Sequence, residues 1–177
     1  MMRNIRALSL GATGLALIFA AEPAVAAPTP VSPDQQATAT VRVVKPLTLK
    51  WVRDLDLGTV LLSGAGTWTG ATVGITKGGV FSCPGSNVTC SGATKTAEYT
   101  ITGTNNQVVT VSAANVTLTN QNNNAKTLTL TVDAPATVNL GNSGSAGTPL
   151  DIGGNISVDS STTDGTYVGT FAVTVNY

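Results

Sequence analysis

Asp54 and Asp56, on either side of Leu55, are the first side chains in this sequence whose type and spacing could do chemistry. On a strand they would share one face, and two neighbouring carboxylates could serve glycosidic hydrolysis or hold calcium. The plainer expectation is solvated edge charge beside Arg53. A second oxygen-rich stretch, Asp159-Ser-Ser-Thr-Thr-Asp164-Gly165, offers calcium ligands in a loop. It lacks the spacing and closing bidentate glutamate of a helix-loop-helix calcium site, so a turn entering a strand through Asp-Gly accounts for it better.

Other routes to catalysis need a nucleophile with a nearby base, or a metal centre. The chain has no histidine, and Glu98 is the one glutamate beyond residue 26. The expectation is a protein that is not an enzyme and carries no cofactor and no metal. Cys83 and Cys90 are the only cysteines. Two cysteines without histidine cannot complete a usual zinc site, and an even pair in an exported chain reads as a disulfide. Closing so short a loop contributes about 2.5 kcal/mol in the chain-entropy account, enough to pin a turn. Asn87-Val-Thr89, Asn115-Val-Thr117 and Asn155-Ile-Ser157 match glycosylation acceptors, as an Asn- and Thr-rich chain does by chance. Trp68, within Gly66-Thr-Trp-Thr-Gly70, is a candidate glycan contact by stacking; its plainer role is to cap one end of the core.

These residues sit in a chain organised for export. Arg3 and Arg6 precede an apolar run from Ala7 to Ala21 and a small-residue site at Ala24-Val25-Ala26, the pattern of a signal peptide over residues 1–26. The run is about fifteen residues, short of the ~20 that a membrane-spanning helix needs, so no membrane span is expected. Without Arg3, Arg6 and Glu22, the nine basic and nine acidic residues become seven and eight. Few charges, none clustered, leave no electrostatic basis for nucleic-acid binding. The expected location is periplasm, cell surface or extracellular space.

Residues 27–36 carry three prolines and form a leader unsuited to a central strand. From there, residues 37–177 read as one β-domain. Ala37, Ala39, Val41 and Val43 alternate with polar residues, Pro46 interrupts, and Leu47, Leu49 and Trp51 resume the period. Further strands are expected over 57–62, 71–76, 80–83, 98–102, 108–118, 127–132, 138–140, 150–158 and 166–177, divided by Gly- and Asn-rich turns. In the last of these Tyr167, Gly169, Phe171, Val173, Val175 and Tyr177 share one face. The fold class is all-β, an immunoglobulin-like antiparallel β-sandwich.

Ala37-Thr-Ala-Thr-Val-Arg-Val-Val-Lys-Pro-Leu-Thr-Leu49, Asp54-Leu-Asp-Leu-Gly-Thr-Val60, Tyr99-Thr-Ile-Thr-Gly103 and Gly165 to Tyr177 carry a resemblance across nearly the whole exported part. The chain resembles the bacterial secreted family called domain of unknown function four-four-zero-two, with Leu57 standing where an aromatic is expected. More distantly it is similar to spore coat protein U domains and chaperone-usher pilus subunits, although the cysteine those subunits usually carry near the start of the fold is absent. That likeness implies a structural or adhesive surface protein whose sandwich is completed by strand addition. Ala37, Ala39, Val41 and Val43 would then be donor residues, and Phe171, Val173, Val175 and Tyr177 an acceptor edge or the edge recognised by a periplasmic chaperone. Two alternatives stay open: a self-contained sandwich with residues 37–44 as its first strand, and a carbohydrate-binding module that uses Trp68 on a surface glycan.

Overall fold

A computed structural model of the chain describes residues 37–63, 66–141 and 146–177. The signal peptide and leader expected over 1–36 lie outside the described residues. Thirteen strands follow one another: β1 (Thr48–Arg53), β2 (Thr59–Leu62), β3 (Ala71–Ile75), β4 (Phe81–Ser82), β5 (Val88–Ser91), β6 (Ala97–Thr102), β7 (Val108–Ala113), β8 (Val116–Asn120), β9 (Thr127–Asp133), β10 (Thr137–Asn139), β11 (Thr148–Val158), β12 (Tyr167–Val168) and β13 (Val173–Asn176). All pairings are antiparallel, and the fold is an all-β sandwich.

The large sheet runs β1-β6-β11-β9-β8-β12, with β3 pairing β11 and β4 pairing β3. Its axis is β11. Residues 148–152 pair β6, while residues 153–158 lie between β9 and β3, so one eleven-residue strand spans both ends of the sheet. Leu150, Ile152, Ile156 and Val158 are all buried along it. Two smaller sheets face this layer. β10-β7-β13 goes with a core of Ala97, Ile101, Val109, Leu140, Leu150 and Ile152. The β2-β5 pair goes with a second core of Val73, Val88, Leu130, Ile156 and Val158. Leu55, Val132 and Phe171 pack against both.

Three sequence expectations need correction. Residues 37–44 carry no strand despite their alternation; they are exposed, Val41 at 85% and Val43 at 82%. The reading of this segment as the first strand of a self-contained sandwich therefore does not hold, because the first strand begins at Thr48. Second, the expected strands 108–118 and 166–177 each divide, into β7 with β8 and β12 with β13. They divide together. β12 pairs β8 in the large sheet and β13 pairs β7 in the small one, so a single two-stranded ribbon changes layer midway. Between the pairs Val168↔Thr119 and Val173↔Ala113, residues 169–172 oppose residues 114–118, one residue more, and such an extra residue bends a ribbon. Gly169 permits the close pass, since a Cβ there would lie 2.7 Å from the Thr117 carbonyl oxygen. Third, β5 overlaps the end of the Cys83–Cys90 loop, where a turn pinned by the disulfide was expected and no strand.

Candidate functional site

The layer change opens the molecule. Beyond it the large sheet continues as β9 and β8, but the opposing layer is only β2 and β5. Among the described residues no strand pairs the outer edge of β2 or of β13. Between β2 on one side and β12 with its flanking residues on the other lies a groove of about 1330 Å³. One wall is residues 54–63, including Leu57, Val60 and Leu62; the other is residues 162–171, ending at Phe171; the floor is Leu118, Leu128, Leu130, Ile156 and Val158.

Each wall is held by its own local chemistry. Asp56 Oδ1 accepts from Gly58 N at 2.8 Å, and its backbone bridges Lys95, which sets the turn into β2. The disulfide Cys83–Cys90 joins the residue after β4 to β5, with Cα atoms 6.2 Å apart. Since β4 pairs β3 and β5 pairs β2, this bond ties the β2-β5 wall covalently to the large sheet. On the opposite wall, buried Asn120 donates through Nδ2 to the Asp164 carbonyl at 2.9 Å. Its Oδ1 accepts from the backbone of Asn122 and Asn123, so one amide holds the β8-β9 turn and the start of the wall together. Gly165 lies against that amide with φ at +137°, where a Cβ would stand 2.5 Å from Asn120 Nδ2.

Of the carboxylates nominated from the sequence, those of Asp54, Asp56 and Asp159 accept hydrogen bonds. Asp54 Oδ1 accepts from Trp51 Nε1 at 3.0 Å. Arg53 does not accompany Asp54 and Asp56; it turns to Glu98 and Asp151 and donates to the Thr96 carbonyl at 3.0 Å. Asp159 Oδ1 accepts from Ser161 N and Oγ, both at 2.8 Å, and from Thr162 Oγ1. Those hydrogen bonds, led by the Ser161 hydroxyl, hold its carboxyl below the usual range. Among the described residues no three histidine, cysteine or acidic side chains come together as a metal site.

Of the candidate acceptor residues, Phe171 lines the groove. Val173 and Val175 pack against the first core instead, and Tyr177, 46% exposed, joins a separate hydrogen-bonded cluster. Trp68 also lines the groove, half-buried against the second core, with its carbonyl accepting from Ser160. Trp51 is the more exposed tryptophan, at 56%. Sequence reasoning missed Asn120 and the groove floor. Asn120 was hidden in an Asn-rich turn, whereas the floor leucines gave a readable signal in the alternation of Leu118, Leu128 and Leu130 with threonines.

No curated protein and no solved structure matches the chain. A family model described as "Domain of unknown function (DUF4402)" matches residues 47–177, from just before β1 to the last residue. The match covers both cores, both walls of the groove and the layer-changing ribbon, and on its extent the chain belongs to the DUF4402 family.

Proposed function

We propose that this protein is an exported, non-enzymatic structural or adhesive surface subunit that assembles by β-strand addition. The observation that carries the reading is a groove with an apolar floor beside an edge of β2 that no described strand pairs, in a chain that also holds an exposed alternating segment outside any strand. An added strand gains main-chain hydrogen bonds from an edge, and its alternate side chains fill pockets below. Ala37, Ala39, Val41 and Val43 have that period, and Leu57, Val60, Leu62, Leu118 and Leu128 supply the apolar lining. The candidate carboxylates Asp54, Asp56 and Asp159 accept from Trp51, from Gly58 N and from Ser161, as local structural contacts.

Strand addition predicts that a chain lacking residues 27–44 binds a synthetic peptide of residues 37–44 and gains thermal stability from it. By sedimentation, the intact exported chain should form species larger than a monomer that the deletion abolishes. A deletion variant that sediments and melts like the parent, and ignores the peptide, would remove this reading.

A further inference from the structure

We infer that Trp51, Asp54 and Tyr99 form a binding site for an alkylated ammonium cation at the margin of the β1-β6 pair, an inference that does not depend on strand addition. The argument starts in the register of those two strands. Leu49↔Ile101, Lys50↔Thr100 and Trp51↔Tyr99 follow in order, but the next pair is Arg53↔Glu98, so β1 carries one extra residue at Val52. Ile101 is fully buried and Leu49 packs against the first core, which puts Trp51 and Tyr99 on that same inward face. In an unbroken strand Arg53 would follow Trp51 there. The extra residue turns it over. Arg53 instead shares the outward face with Glu98, pairs with Glu98 and Asp151, and donates to the Thr96 carbonyl. Lys50, one residue before Trp51 and opposite Thr100, lies outward as well.

The bulge thus takes the strand's own cation away from two aromatic rings and leaves a carboxylate with them. Trp51 Nε1 donates to Asp54 Oδ1 at 3.0 Å, which fixes the indole. Direct cross-strand partners hold their Cβ atoms about 5 Å apart, so the Tyr99 side chain starts beside that of Trp51. The charge of Asp54 is felt at Tyr99: burial, and then Asp54, push the tyrosine hydroxyl above its ordinary range. β1 is an edge strand, and Trp51 belongs to neither core, so the rings are not closed over from that side. Asp54 and Tyr99 also line the near end of the groove. Among the described residues Asp54 is in no ion pair.

The faces of tryptophan and tyrosine are negative, and a carboxylate beside them adds to the attraction for a cation. The kind of cation follows from what the site lacks. A primary ammonium brings three N–H donors, and one of the Asp54 oxygens already accepts from Trp51. An ammonium whose hydrogens are replaced by methyl groups asks for no acceptors, only for negative surface around an apolar shell. A sugar fits less well, since the indole N–H is spent on Asp54 and the Tyr99 hydroxyl is the donor that remains among the three side chains.

The test is ligand-observed saturation-transfer NMR on the intact exported chain, a measurement that works whatever the size of the assembly. The N-methyl protons of choline should receive saturation, with affinity in the millimolar range. Dimethylbutanol, the neutral isostere with carbon in place of nitrogen, should bind at least about fivefold more weakly, and Trp51→Leu should weaken choline at least about tenfold. Asp54→Asn keeps an acceptor for the indole and removes the charge, and should cost about threefold. Equal binding of the neutral isostere overturns the inference, and so does choline binding unchanged in Trp51→Leu. A chain silent to choline that shows a Trp51-dependent signal from methyl glycosides overturns it too, in favour of a glycan. Phosphatidylcholine vesicles separate two sources of the same group: a chain that sediments with them through Trp51 takes the ammonium on a lipid surface, and one that binds choline but not the vesicles takes it free. The chain lacking residues 27–44, the arm-deleted chain, should bind the arm peptide of residues 37–44 equally with and without Trp51→Leu. Loss of the peptide together with choline would make Trp51 part of the groove and overturn a separate site.

Discussion

The core under β10, β7 and β13 is sealed, with no member more than 2% exposed, whereas the core beside β2 and β5 reaches 8% at Ile156. Both are made of valine, leucine and isoleucine, with Ala97 added in the first, and both include residues of β11. They differ in what covers them. At the sealed end the ribbon of β7 and β13, with β10, completes the opposing layer; at the open end a two-stranded sheet leaves Leu118 and Leu128 lining a groove. The difference teaches that openness here comes from strand supply, since the floor of the groove, Leu118, Leu128, Leu130, Ile156 and Val158, is of the residue type that fills the sealed core.

That contrast can be broken by removing side chains at each end. Leu150→Ala, in the sealed core, should destabilise the chain by about 3–4 kcal/mol in urea denaturation, the usual cost of a buried cavity. Leu128→Ala, on the groove floor, should cost about 1 kcal/mol in the arm-deleted chain and yet weaken binding of the arm peptide at least about tenfold. Equal losses of stability at the two sites would mean that the groove is no more open than the core.

The disulfide offers a second, smaller contrast. Replacing Cys83 and Cys90 by serine should lower stability by at most about 2.5 kcal/mol, since the closed loop is short. The loss should be local: amide-exchange protection should fall in β2 and β5 and persist in β7 and β13. Uniform loss of protection would show that the β2-β5 wall is not a separable part of the sandwich.

The smallest effect concerns Asp133, whose carboxylate accepts from Lys77 N and Nζ, both at 2.9 Å, and ties β9 to the β3-β4 turn. The backbone hydrogen bond from Lys77, then the one from its side chain, hold the Asp133 carboxyl below the ordinary aspartate range. A depressed folded-state value means that the stabilisation is present above the unfolded aspartate pKa, about 3.9, and is lost as pH falls through the lower folded value. With both side chains partly exposed, solvent screening keeps it under about 0.5 kcal/mol. Asp133→Asn should flatten the stability profile below about pH 4 by that amount and leave it unchanged in shape near neutrality; a changed profile above pH 6 would refute the assignment.

Strand placement was legible where alternation and turn residues agreed. β3, β6, β9 and β11 fall within a residue or two of where Val, Ile and Thr periodicity places them. The ribbon 108–120 with 167–176 was legible in its facing, because Phe171, Val173 and Val175 are more buried than Thr170, Thr174 and Asn176. It was not legible in its break, since a change of layer leaves the period of two intact and depends on the partner strand changing with it. β5 was missed because Val88 and Cys90 supply too short an alternation beside a loop of Pro, Gly and Ser. Residues 37–44 mark the opposite failure. Their pattern is that of a strand, but pattern specifies a face to bury and not which molecule provides the surface.

The pairing of β1 with β6 has a mechanical meaning in any chain linked through the arm. Tension would enter each subunit at Lys45 and pass directly into β1, whose residues pair with β6 from Thr48↔Thr102 to Arg53↔Glu98. Pulling along the strand axis loads those ladder bonds side by side, in shear, so that none can be peeled away before the others. The hydrogen bonds among Lys45, Thr104 and Tyr177 stand ahead of that ladder and would yield first, which makes them the fuse and β1 the cable.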